Sequence, residues 1–401
     1  LDHIVELHKY GRLPLAILAL PEGSRVPIGI PPLVLFNTES FAFWLPNYLE
    51  TILSCILWQA CTSATIADKY REEFILSARK TNSDLNFTQF QGHDFSFRGM
   101  SSLETACLSG AGHLLSFVGT DTVPAIDFLE EYYNADSDKE LVGCSVPATE
   151  HSVMCMGGIE GEMETFRRLF KLYPTGIVSV VSDTWDYWNV LTNILPQLKN
   201  EILNRNGKLV IRPDSSPKTP FEIICGDFEA TPGTPEHKGS IEILWEIFGG
   251  TTNDWGFKTL NPKIGLIYGD SITLELAQKI NAKLSDKGFA SINWVAGIGS
   301  YSYQYNTRDI FGFAMKATYG VIDGQAKEIF KDPKTNKGTF SKKSAKGLIA
   351  IYKDPIKGFI KKEQATWDEV WNCDLNLVFK EKLLRDQSLQ EIRNRLAEKY
   401  I

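Results

Sequence analysis

Residues 93–99 place two aromatic side chains and a cation close together in the chain. In an extended segment Phe95 and Phe97 would lie on one side and Arg98 on the other, because side chains alternate along a strand. A turn at the strand end would instead bring one phenylalanine beside Arg98. Phenylalanine packs against flat rings and arginine binds anions, so the segment indicates a site for a flat, electron-poor ring beside a negative group. A buried strand end with one structural ion pair is the alternative.

Charged residues farther along add the chemistry of phosphates. Arginine forks match phosphate oxygens, and three arginines fall at or near predicted strand ends: Arg98, Arg212 and Arg308. Carboxylate oxygens for Mg²⁺ or for ribose hydroxyls come from three aspartates: Asp183, Asp214 and Asp270. Backbone N–H groups at Gly269 and at residues 297–300 can contact an anion. Together these residues predict a site for a sugar phosphate with Mg²⁺ and a flat ring.

His151 follows Glu150 and has no partners at metal-binding spacing in the sequence. A histidine in this position can accept a phosphoryl group or act as an acid or base. A structural histidine with satisfied hydrogen bonds is the alternative.

The elements that carry these residues repeat a pattern. Short apolar runs end in a polar or glycine residue and are followed by helical periodicity, at residues 114–118, 143–146, 177–181, 208–211, 264–268 and 292–296. The polar ends recur at roughly 30 residues, or nearly twice that, and one βα unit has about this length. Polar groups at the carboxyl ends of parallel strands form the active-site face of a βα barrel. The pattern therefore predicts a βα barrel, although Asp, Ser and Gly also begin ordinary loops.

The predicted helices of this region lie at residues 162–173, 186–204, 240–248 and 273–286, and Ser101 with Glu104 resembles a capping box. The flanking regions differ from it. A helix is predicted within residues 45–79, and a charged helical stretch within residues 377–399. A lysine-rich loop at residues 331–346 lies between predicted strands and is expected to be a solvated hairpin loop or a phosphate contact.

Composition excludes several classes of protein. The chain has 401 residues and a net charge of −7, which argues against a general nucleic-acid or anionic-membrane surface. No apolar run reaches the ~18–20 residues of a transmembrane helix, since residues 51–67 are interrupted by polar side chains. The seven cysteines form no CxxC pair, which is typical of reduced thiols in a cytoplasmic protein. No signal peptide is recognisable, and the six histidines have no zinc spacing.

The quoted segments resemble a known family. The motifs are residues 93–99 with 101–105, 119–123, 145–148 with 150–152, 180–183, 211–215, 269–270 and 307–309. In order and spacing they are similar to those of the nicotinamide phosphoribosyltransferases, across roughly residues 10 to 400. The resemblance implies a type II phosphoribosyltransferase fold: a catalytic βα barrel at 91–309 and a mixed α+β domain built from residues 1–90 and 310–401. It also implies a homodimer with shared active sites and ATP-assisted synthesis of nicotinamide mononucleotide and pyrophosphate, in a cytoplasmic pathway of NAD salvage.

The resemblance implies a role for each matching residue. Phe95 would stack on nicotinamide and Asp121 would bind its carboxamide, within a ring pocket lined by Ser145, Val146, Val210 and Ile267. Phosphate or pyrophosphate would be held by Arg98, Arg212 and Arg308. Ribose would contact Asp214, Gly269 and Asp270, and the 5′-phosphate would contact Gly299 and Ser300. Asp183 would support Mg²⁺ and pyrophosphate, His151 would be phosphorylated by ATP, and the ATP phosphates would contact Lys316 and Lys331.

Three features depart from the family pattern. Ser96 replaces a usual glycine, and Ser300 lies in a run that is usually all glycine and is followed by Tyr301 and Tyr303. The chain also begins at Leu1, in what looks like a helix already under way, and an N-terminal region of roughly a hundred residues has no counterpart. In the family, that region carries a tyrosine that covers the second face of the ring in the partner subunit's site.

Three alternative functions remain open at this point. Nicotinate phosphoribosyltransferase shares the fold. The chain could instead be a weakly active or regulatory subunit that needs a separate N-terminal segment, and the departure at Leu1 favours this possibility. A barrel lyase acting on phosphosugars is weaker, because it leaves Phe95 without a role.

Overall fold

The computed structural model describes residues 1–214, 218–269, 271–331 and 344–400. Its strands are β1 (Leu15–Ala19), β2 (Leu33–Asn37), β3 (Gly92–Asp94), β4 (Gly119–Thr120), β5 (Thr175–Val181), β6 (Asn206–Arg212), β7 (Gly250–Thr252), β8 (Lys258–Leu260), β9 (Ile264–Tyr268), β10 (Trp294–Ile298), β11 (Tyr319–Ile322), β12 (Gln325–Glu328), β13 (Ala350–Asp354), β14 (Gly358–Lys362) and β15 (Asn376–Lys380).

Helices connect most of these strands. They are α1 (Asp2–Tyr10), α2 (Leu45–Lys80), α3 (Leu103–Leu114), α4 (Pro124–Tyr132), α5 (His151–Gly157), α6 (Glu162–Leu172), α7 (Tyr187–Asn189), α8 (Leu195–Asn204), α9 (Pro220–Cys225), α10 (Pro235–Lys238), α11 (Ser240–Phe248), α12 (Leu274–Asp286), α13 (Ser300–Tyr303), α14 (Trp367–Trp371) and α15 (Leu389–Ala397).

The central sheet is curled and parallel. Its six strands run in the order β4-β3-β10-β9-β6-β5. Residues 144–149 span the gap between the two edges. The Cys144 carbonyl accepts a hydrogen bond from Thr120 N at 2.9 Å on one side, and Thr149 N donates to the Ser179 carbonyl at 3.0 Å on the other. All six strand ends are thereby turned toward one opening.

The apolar runs form this sheet because alternate side chains pack outward against helices. Val180, Ile211 and Leu266 are fully or almost fully buried in the large core that α8, α11 and α12 complete. The neighbours of Val210 in β6 belong to this core, but Val210 itself does not belong to it. It is paired with Ser179 and Gly265 on the adjacent strands and faces the inside of the curled sheet. Side chains inside the sheet are therefore available to a ligand.

A second, smaller sheet combines the two ends of the chain. β1 lies between β2 and β15, antiparallel to both. Its apolar face packs against β13 and α14, in a core that includes Leu18, Ile351 and Val370. Residues near position 20 thus contact residues near position 370.

The long helix α2 links the two units. Ala67, Tyr70 and Phe74 in its second half are buried in the barrel core, whereas Tyr48 and Ile52 in its first half are exposed. Within the described ranges it is the one helix that is long and apolar enough to cross a membrane, with 17% of the relevant window buried. Core helices of soluble proteins pass the same test, so this is weak evidence for a span.

Some predicted elements differ from the structure. The run at 114–118 is not a strand: α3 continues to Leu114, a turn buries Phe117 and Val118, and β4 begins only at Gly119. The run at 143–146 makes one isolated bridge, between Cys144 and Gly119, instead of a strand. Buried apolar residues are equally compatible with a helix end and a strand, so their pattern did not distinguish the two.

The helix predicted at 186–204 is interrupted, and the capping box is shifted. A π-helical turn at Val190–Ile194 separates α7 from α8 and ends two residues before Pro196, which lacks an N–H and displaces the preceding turn. The capping box is formed by Ser102 and Thr105, whose side chains each accept the other's backbone N–H, and not by Ser101 with Glu104.

Glu162 at the start of α6 is a buried carboxyl group of the barrel. It is 3% exposed, and its Oε1 has no hydrogen-bond partner among the described residues. Burial, reinforced by the negative charge of Asp186, raises the pKa of Glu162 from 4.5 to about 7. Since this pKa is higher in the folded protein than in the unfolded chain, ionisation of Glu162 costs folding free energy as pH rises from about 4.5 through about 7.

Glu162→Gln should therefore stabilise the protein at pH 8, by about 1 kcal/mol, and should have little effect at pH 4.5. The amide keeps the shape of the carboxyl group and cannot ionise. Thermal unfolding at the two pH values measures the difference, with the exposed neighbour variant Glu160→Gln as the control. An equal shift of the melting temperature at both pH values would contradict the proposed ionisation.

Candidate active site

The carboxyl ends of the six strands bring most of the predicted residues to one opening. β3 leads to Phe95, β4 to Asp121, β5 to Asp183, β6 to Asp214, β9 to Gly269 and β10 to Gly299. The closing segment 144–149 adds Ser145 and Val146 and leads into His151 at the start of α5. The opening holds two groups of side chains, one around Phe95 and one around His151.

Phe95 lies just beyond the end of β3, and its backbone N–H donates to the Ile298 carbonyl at 2.9 Å. Its ring is 4.6 Å from the His93 ring, and the Arg212 guanidinium lies 5.9 Å above it. A side chain at Gly297 would come within 2.6 Å of the Phe95 ring, so glycine is required there. The cation beside the aromatic ring is therefore Arg212, from β6, and not the neighbouring Arg98.

A short turn separates the two phenylalanines that an extended segment would align. The strand ends at Asp94, and residues Phe97–Gly99 form a 3-10 turn. Phe97 is 37% exposed, while Phe95 is partly buried. Only Phe95 therefore contributes to the pocket.

Asp121 is held in place by two hydrogen bonds to the same oxygen. His93 Nε2 lies 2.8 Å from Asp121 Oδ1, and Ser145 Oγ donates to that atom at 2.6 Å. Burial pushes the pKa of Asp121 upward, but the hydrogen bonds from His93 and Ser145 and the charge of Arg212 bring it below its usual value. Asp121 is thus a fixed carboxylate beside Phe95, with Oδ2 left for a ligand that donates hydrogen bonds.

Apolar side chains complete the ring pocket, by which we mean Phe95, Asp121, Ser145, Val146, Val210 and Ile267. Val210 and Ile267 lie on β6 and β9 and face the inside of the sheet, one partly buried and the other 7% exposed. Val146 is partly buried in the closing segment. A flat ring with one polar substituent matches this lining.

The second group is a histidine–aspartate cluster of His151, Asp183 and Asp214. One ligand atom from each residue lies within 4.8 Å of the others. His151 Nε2 is 2.9 Å from Asp214 Oδ1, and His151 Nδ1 is 3.1 Å from Thr184 Oγ1. Asp183 Oδ2 accepts the backbone N–H of Asp214 at 2.8 Å and so fixes the position of that residue.

These contacts determine the tautomer of His151. A carboxylate only accepts hydrogen bonds, so in the neutral ring Nε2 carries the proton and donates a hydrogen bond to Asp214. In this tautomer Nδ1 holds a lone pair and accepts a hydrogen bond from the Thr184 hydroxyl. Nδ1 is the nitrogen that could act as a nucleophile, on a partly exposed side chain, once the Thr184 hydroxyl releases it.

Two arginines flank the cluster in different environments. The Arg212 side chain is only 7% exposed and donates to the Thr149 carbonyl at 2.6 Å, whereas that of Arg98 is 84% exposed. Glu150 lies between them, 3.9 Å from each. The Arg212 Nε atom is buried and has no partner among the described residues. A buried guanidinium with a free donor is suited to an anionic ligand.

The loop predicted to bind the 5′-phosphate, Gly299 and Ser300, is called the phosphate loop here and lies against the turn that carries Arg98. A side chain on Gly99 would come within 2.1 Å of Ser300 Oγ, so Ser300 and Gly99 are in direct contact. Gly269 lies beside Asp214, since a side chain there would be 3.0 Å from Asp214 Cβ. Asp270, predicted to bind ribose, lies outside the described residues.

Three predicted cations lie apart from these groups. Arg308 pairs with its neighbour Asp309 at 3.2 Å, and Lys316 pairs with Glu50 of α2. Lys331 is exposed after β12, where its backbone contacts Ser344. In the parts of the chain that the structure describes, none of the three contacts the ring pocket or the histidine–aspartate cluster. Most of the lysine-rich loop, residues 332–343, is outside the described residues.

Sequence reasoning missed three residues of the site: His93, Glu150 and Thr184. His93 lies in the same motif as Phe95 and was passed over in favour of the aromatic ring and the arginine. Glu150 and Thr184 each adjoin a predicted site residue, His151 or Asp183. The partners of His151 were also missed, because Asp183 and Asp214 are distant in sequence and meet only when the strands pair.

Comparisons with known proteins identify relatives of this chain. The model of the Nicotinate phosphoribosyltransferase (NAPRTase) family matches residues 90–389. The chain is 51% identical, over 99% of its length and 79% of the relative, to a protein of Acinetobacter baylyi named nicotinamide phosphoribosyltransferase. Proteins with the same name from Mycoplasma pneumoniae (38% identical, 78% of this chain and 66% of the relative) and Xanthomonas campestris (32% identical, 96% and 79%) are also similar.

A solved structure supports the fold. The nicotinate-nucleotide pyrophosphorylase of Pyrococcus furiosus matches 99% of this chain and 84% of its own with a TM-score of 0.58, at 14% identity. The predicted fold, a βα barrel with a second mixed domain, is confirmed. The extent of the family match and the identity of the relatives also confirm the resemblance drawn from the motifs, and the chain belongs to the nicotinate phosphoribosyltransferase family.

Proposed function

We propose that this protein transfers the phosphoribosyl group of phosphoribosyl pyrophosphate to nicotinamide, forming nicotinamide mononucleotide and pyrophosphate in NAD salvage. The observation that carries the proposal is the ionised Asp121 beside Phe95, held by His93 and Ser145. The names of the three relatives support the same substrate.

The proposed reaction needs positioning more than proton transfer. The pyridine nitrogen of nicotinamide carries a lone pair, which attacks C1 of the ribose while the bond from C1 to the pyrophosphate oxygen breaks. No proton has to leave the nucleophile. Positive charge develops on the ribose and negative charge on the departing pyrophosphate, which Arg212 and Arg98 are suited to stabilise. Phe95 would hold the ring plane against which this alignment is set.

The charge of Asp121 distinguishes nicotinamide from nicotinate. The amide group of nicotinamide can donate a hydrogen bond to Oδ2, whereas the carboxylate of nicotinate would be repelled. Nicotinate phosphoribosyltransferase, the activity after which the family is named, is therefore the weaker candidate for this chain.

The donors of the histidine–aspartate cluster fit a Mg²⁺ ion. Mg²⁺ prefers oxygen ligands and is usually bound by one or two carboxylates together with substrate phosphates. Asp183 and Asp214 would hold it on the pyrophosphate side of the site. When bound, it would neutralise charge on the leaving group.

We further propose that ATP assists the reaction by phosphorylating His151. The Nδ1 lone pair would attack the terminal phosphorus of ATP, the bond to the bridging oxygen would break, and ADP would leave. Asp214 would stabilise the positive charge that the ring then carries, because its carboxylate accepts a hydrogen bond from Nε2. The Thr184 hydroxyl, which donates a hydrogen bond to Nδ1, would turn away from that nitrogen as the phosphorus approaches.

The isolated position of Arg308, Lys316 and Lys331 supports a homodimer with shared sites. These cations do not reach the cluster of their own chain within the described residues, and we propose that they contact pyrophosphate or ATP in the site of a partner subunit. All seven cysteines are free, which supports a cytoplasmic location.

The purified protein should form nicotinamide mononucleotide from nicotinamide, phosphoribosyl pyrophosphate and Mg²⁺, because its pocket combines a ring platform with phosphate-binding groups. Chromatography of the products measures this, with nicotinate supplied in a parallel reaction. The proposal is wrong if no mononucleotide forms, or if nicotinate is the better substrate.

Asp121→Asn should narrow the preference for nicotinamide over nicotinate. The repelling charge is lost, and the new amide can donate to a carboxylate. Losing a charged hydrogen bond should weaken nicotinamide binding by about 1.5–3 kcal/mol. Steady-state kinetics with each substrate measure the ratio of kcat/KM, and the exposed Asp138→Asn serves as the control. An unchanged ratio would exclude Asp121 from recognition of the amide.

His151→Ala should abolish the ATP hydrolysis that accompanies synthesis and leave a slow synthesis that is independent of ATP, since attack of the ring on ribose needs no histidine. Release of ADP is measured beside mononucleotide formation. His237→Ala, which replaces a partly buried histidine outside the cluster, is the control. If ATP hydrolysis remains coupled in His151→Ala, the phosphoryl group is accepted elsewhere.

A further inference from the structure

A buried tyrosine, Tyr303, packs the segment that follows the phosphate loop against the protein interior. Tyr303, the last residue of α13, is 0% exposed, although the helix starts at Ser300 in the loop itself. Tyr301 and Tyr305 on the other side of this segment are 59% and 77% exposed. Only one side of the short helix is therefore packed against the protein, and Tyr303 provides its buried aromatic contact.

The hydroxyl group of Tyr303 begins a directional chain of hydrogen bonds. It lies 2.7 Å from His113 Nδ1, and His113 Nε2 lies 2.9 Å from the Gly119 carbonyl. A carbonyl only accepts, so Nε2 carries the proton and Nδ1 accepts from the tyrosine. Burial lowers the pKa of His113 to about 4 and raises that of Tyr303, which keeps both groups neutral at pH 7.

This series of hydrogen bonds ends beside the ring pocket. Gly119 lies in β4, two residues before Asp121, and its Cα is in contact with His93, since a side chain there would come within 2.8 Å of His93 Nδ1. His93 in turn binds Asp121. The Tyr303–His113–Gly119 chain thus connects the phosphate loop to the strand that carries the ring-binding carboxylate.

A second set of buried contacts connects α13, which continues the phosphate loop, to the loop after β9. The Tyr70 hydroxyl on α2 donates to the Ile272 carbonyl at 2.7 Å and lies 3.1 Å from Ser302 Oγ. Gln59, also on α2, donates to the Tyr303 carbonyl at 2.7 Å. Two loops predicted to bind the sugar phosphate are therefore fixed to one rigid helix.

We propose that Tyr303, through His113, is a positioning residue for phosphoribosyl pyrophosphate. It fixes the position of Gly299 and Ser300 relative to Phe95 and Asp121, and thereby the distance between the 5′-phosphate and the nicotinamide ring. The inference rests on the proposed function. Displacements of about 1 Å matter in such a reaction, because the ring nitrogen and ribose C1 must be held in line.

Tyr303→Phe tests the proposal, since it removes the hydroxyl and keeps the ring. We expect the KM for phosphoribosyl pyrophosphate to rise about 3- to 30-fold, with the KM for nicotinamide changed less than about 2-fold. Tyr400→Phe is the control, because it removes a tyrosine hydroxyl that is partly buried, is bonded to Asp68 at 2.5 Å and lies outside the site. An equal rise of both KM values, or a lowered melting temperature with unchanged KM values, would overturn the positioning role.

Tyr70→Phe provides a second measurement if Tyr303→Phe does not fold. It should raise the same KM selectively, because Ser302, two residues after the phosphate loop, loses its contact with the Tyr70 hydroxyl of α2, and unchanged kinetics would again contradict the proposal. Calorimetric titration of phosphoribosyl pyrophosphate separates this inference from the proposed function. If the unmodified protein does not bind that compound, the function is wrong; if it binds and Tyr303→Phe binds equally well, only the positioning role is wrong.

Discussion

The candidate active site depends on the closure of the central sheet by residues 144–149. This segment hydrogen-bonds to β4 on one side and to β5 on the other, so the first and last strands of the sheet come to opposite sides of one opening. The same short stretch places Ser145 on Asp121 and continues directly into His151, which reaches Asp214. Both groups of functional side chains are therefore positioned by one set of backbone hydrogen bonds, and a shift in this segment would displace the ring pocket and the histidine–aspartate cluster together.

The charges at the opening are ordered by burial. Arg212 is almost fully buried and contacts both the Phe95 ring and the Thr149 carbonyl, so its position is fixed before any ligand arrives. Arg98 is exposed and has only a 3.9 Å contact with Glu150, which a phosphate could replace at little cost. A fixed cation beside the ring and an exposed cation at the rim suit a reaction in which the charged leaving group must be held during bond cleavage and then released.

Sequence patterns predicted the elements whose apolar residues have one possible partner surface. β9 at Ile264–Tyr268 and α11 at Ser240–Phe248 coincide with their predicted ranges, because a continuous apolar run and a helical period are each unambiguous there. The run at 114–118 failed because Leu114 and Phe117 are buried by a helix end as completely as a strand would bury them. Individual motifs located Phe95, Asp121 and Asp214, but not the role of His93 or the contact between His151 and Asp214, which depend on strand pairing between distant residues.

Ser300, which departs from the family pattern, lies in a loop that is also held by Tyr303 and Tyr70. Ser300 has a side chain that lies directly on Gly99, so the loop is held against the turn that carries Arg98. On the opposite side, the helix α13 that continues the loop is held by two buried hydroxyl groups. The Tyr303 hydroxyl contacts His113, and the Tyr70 hydroxyl contacts Ser302. A run of glycines could follow a bound phosphate by changing its backbone angles, whereas this loop is fixed on both sides. The serine and the tyrosines therefore restrict the loop together. If Gly299 and Ser300 bind the 5′-phosphate as proposed, these contacts would fix the distance between the phosphate and the ring.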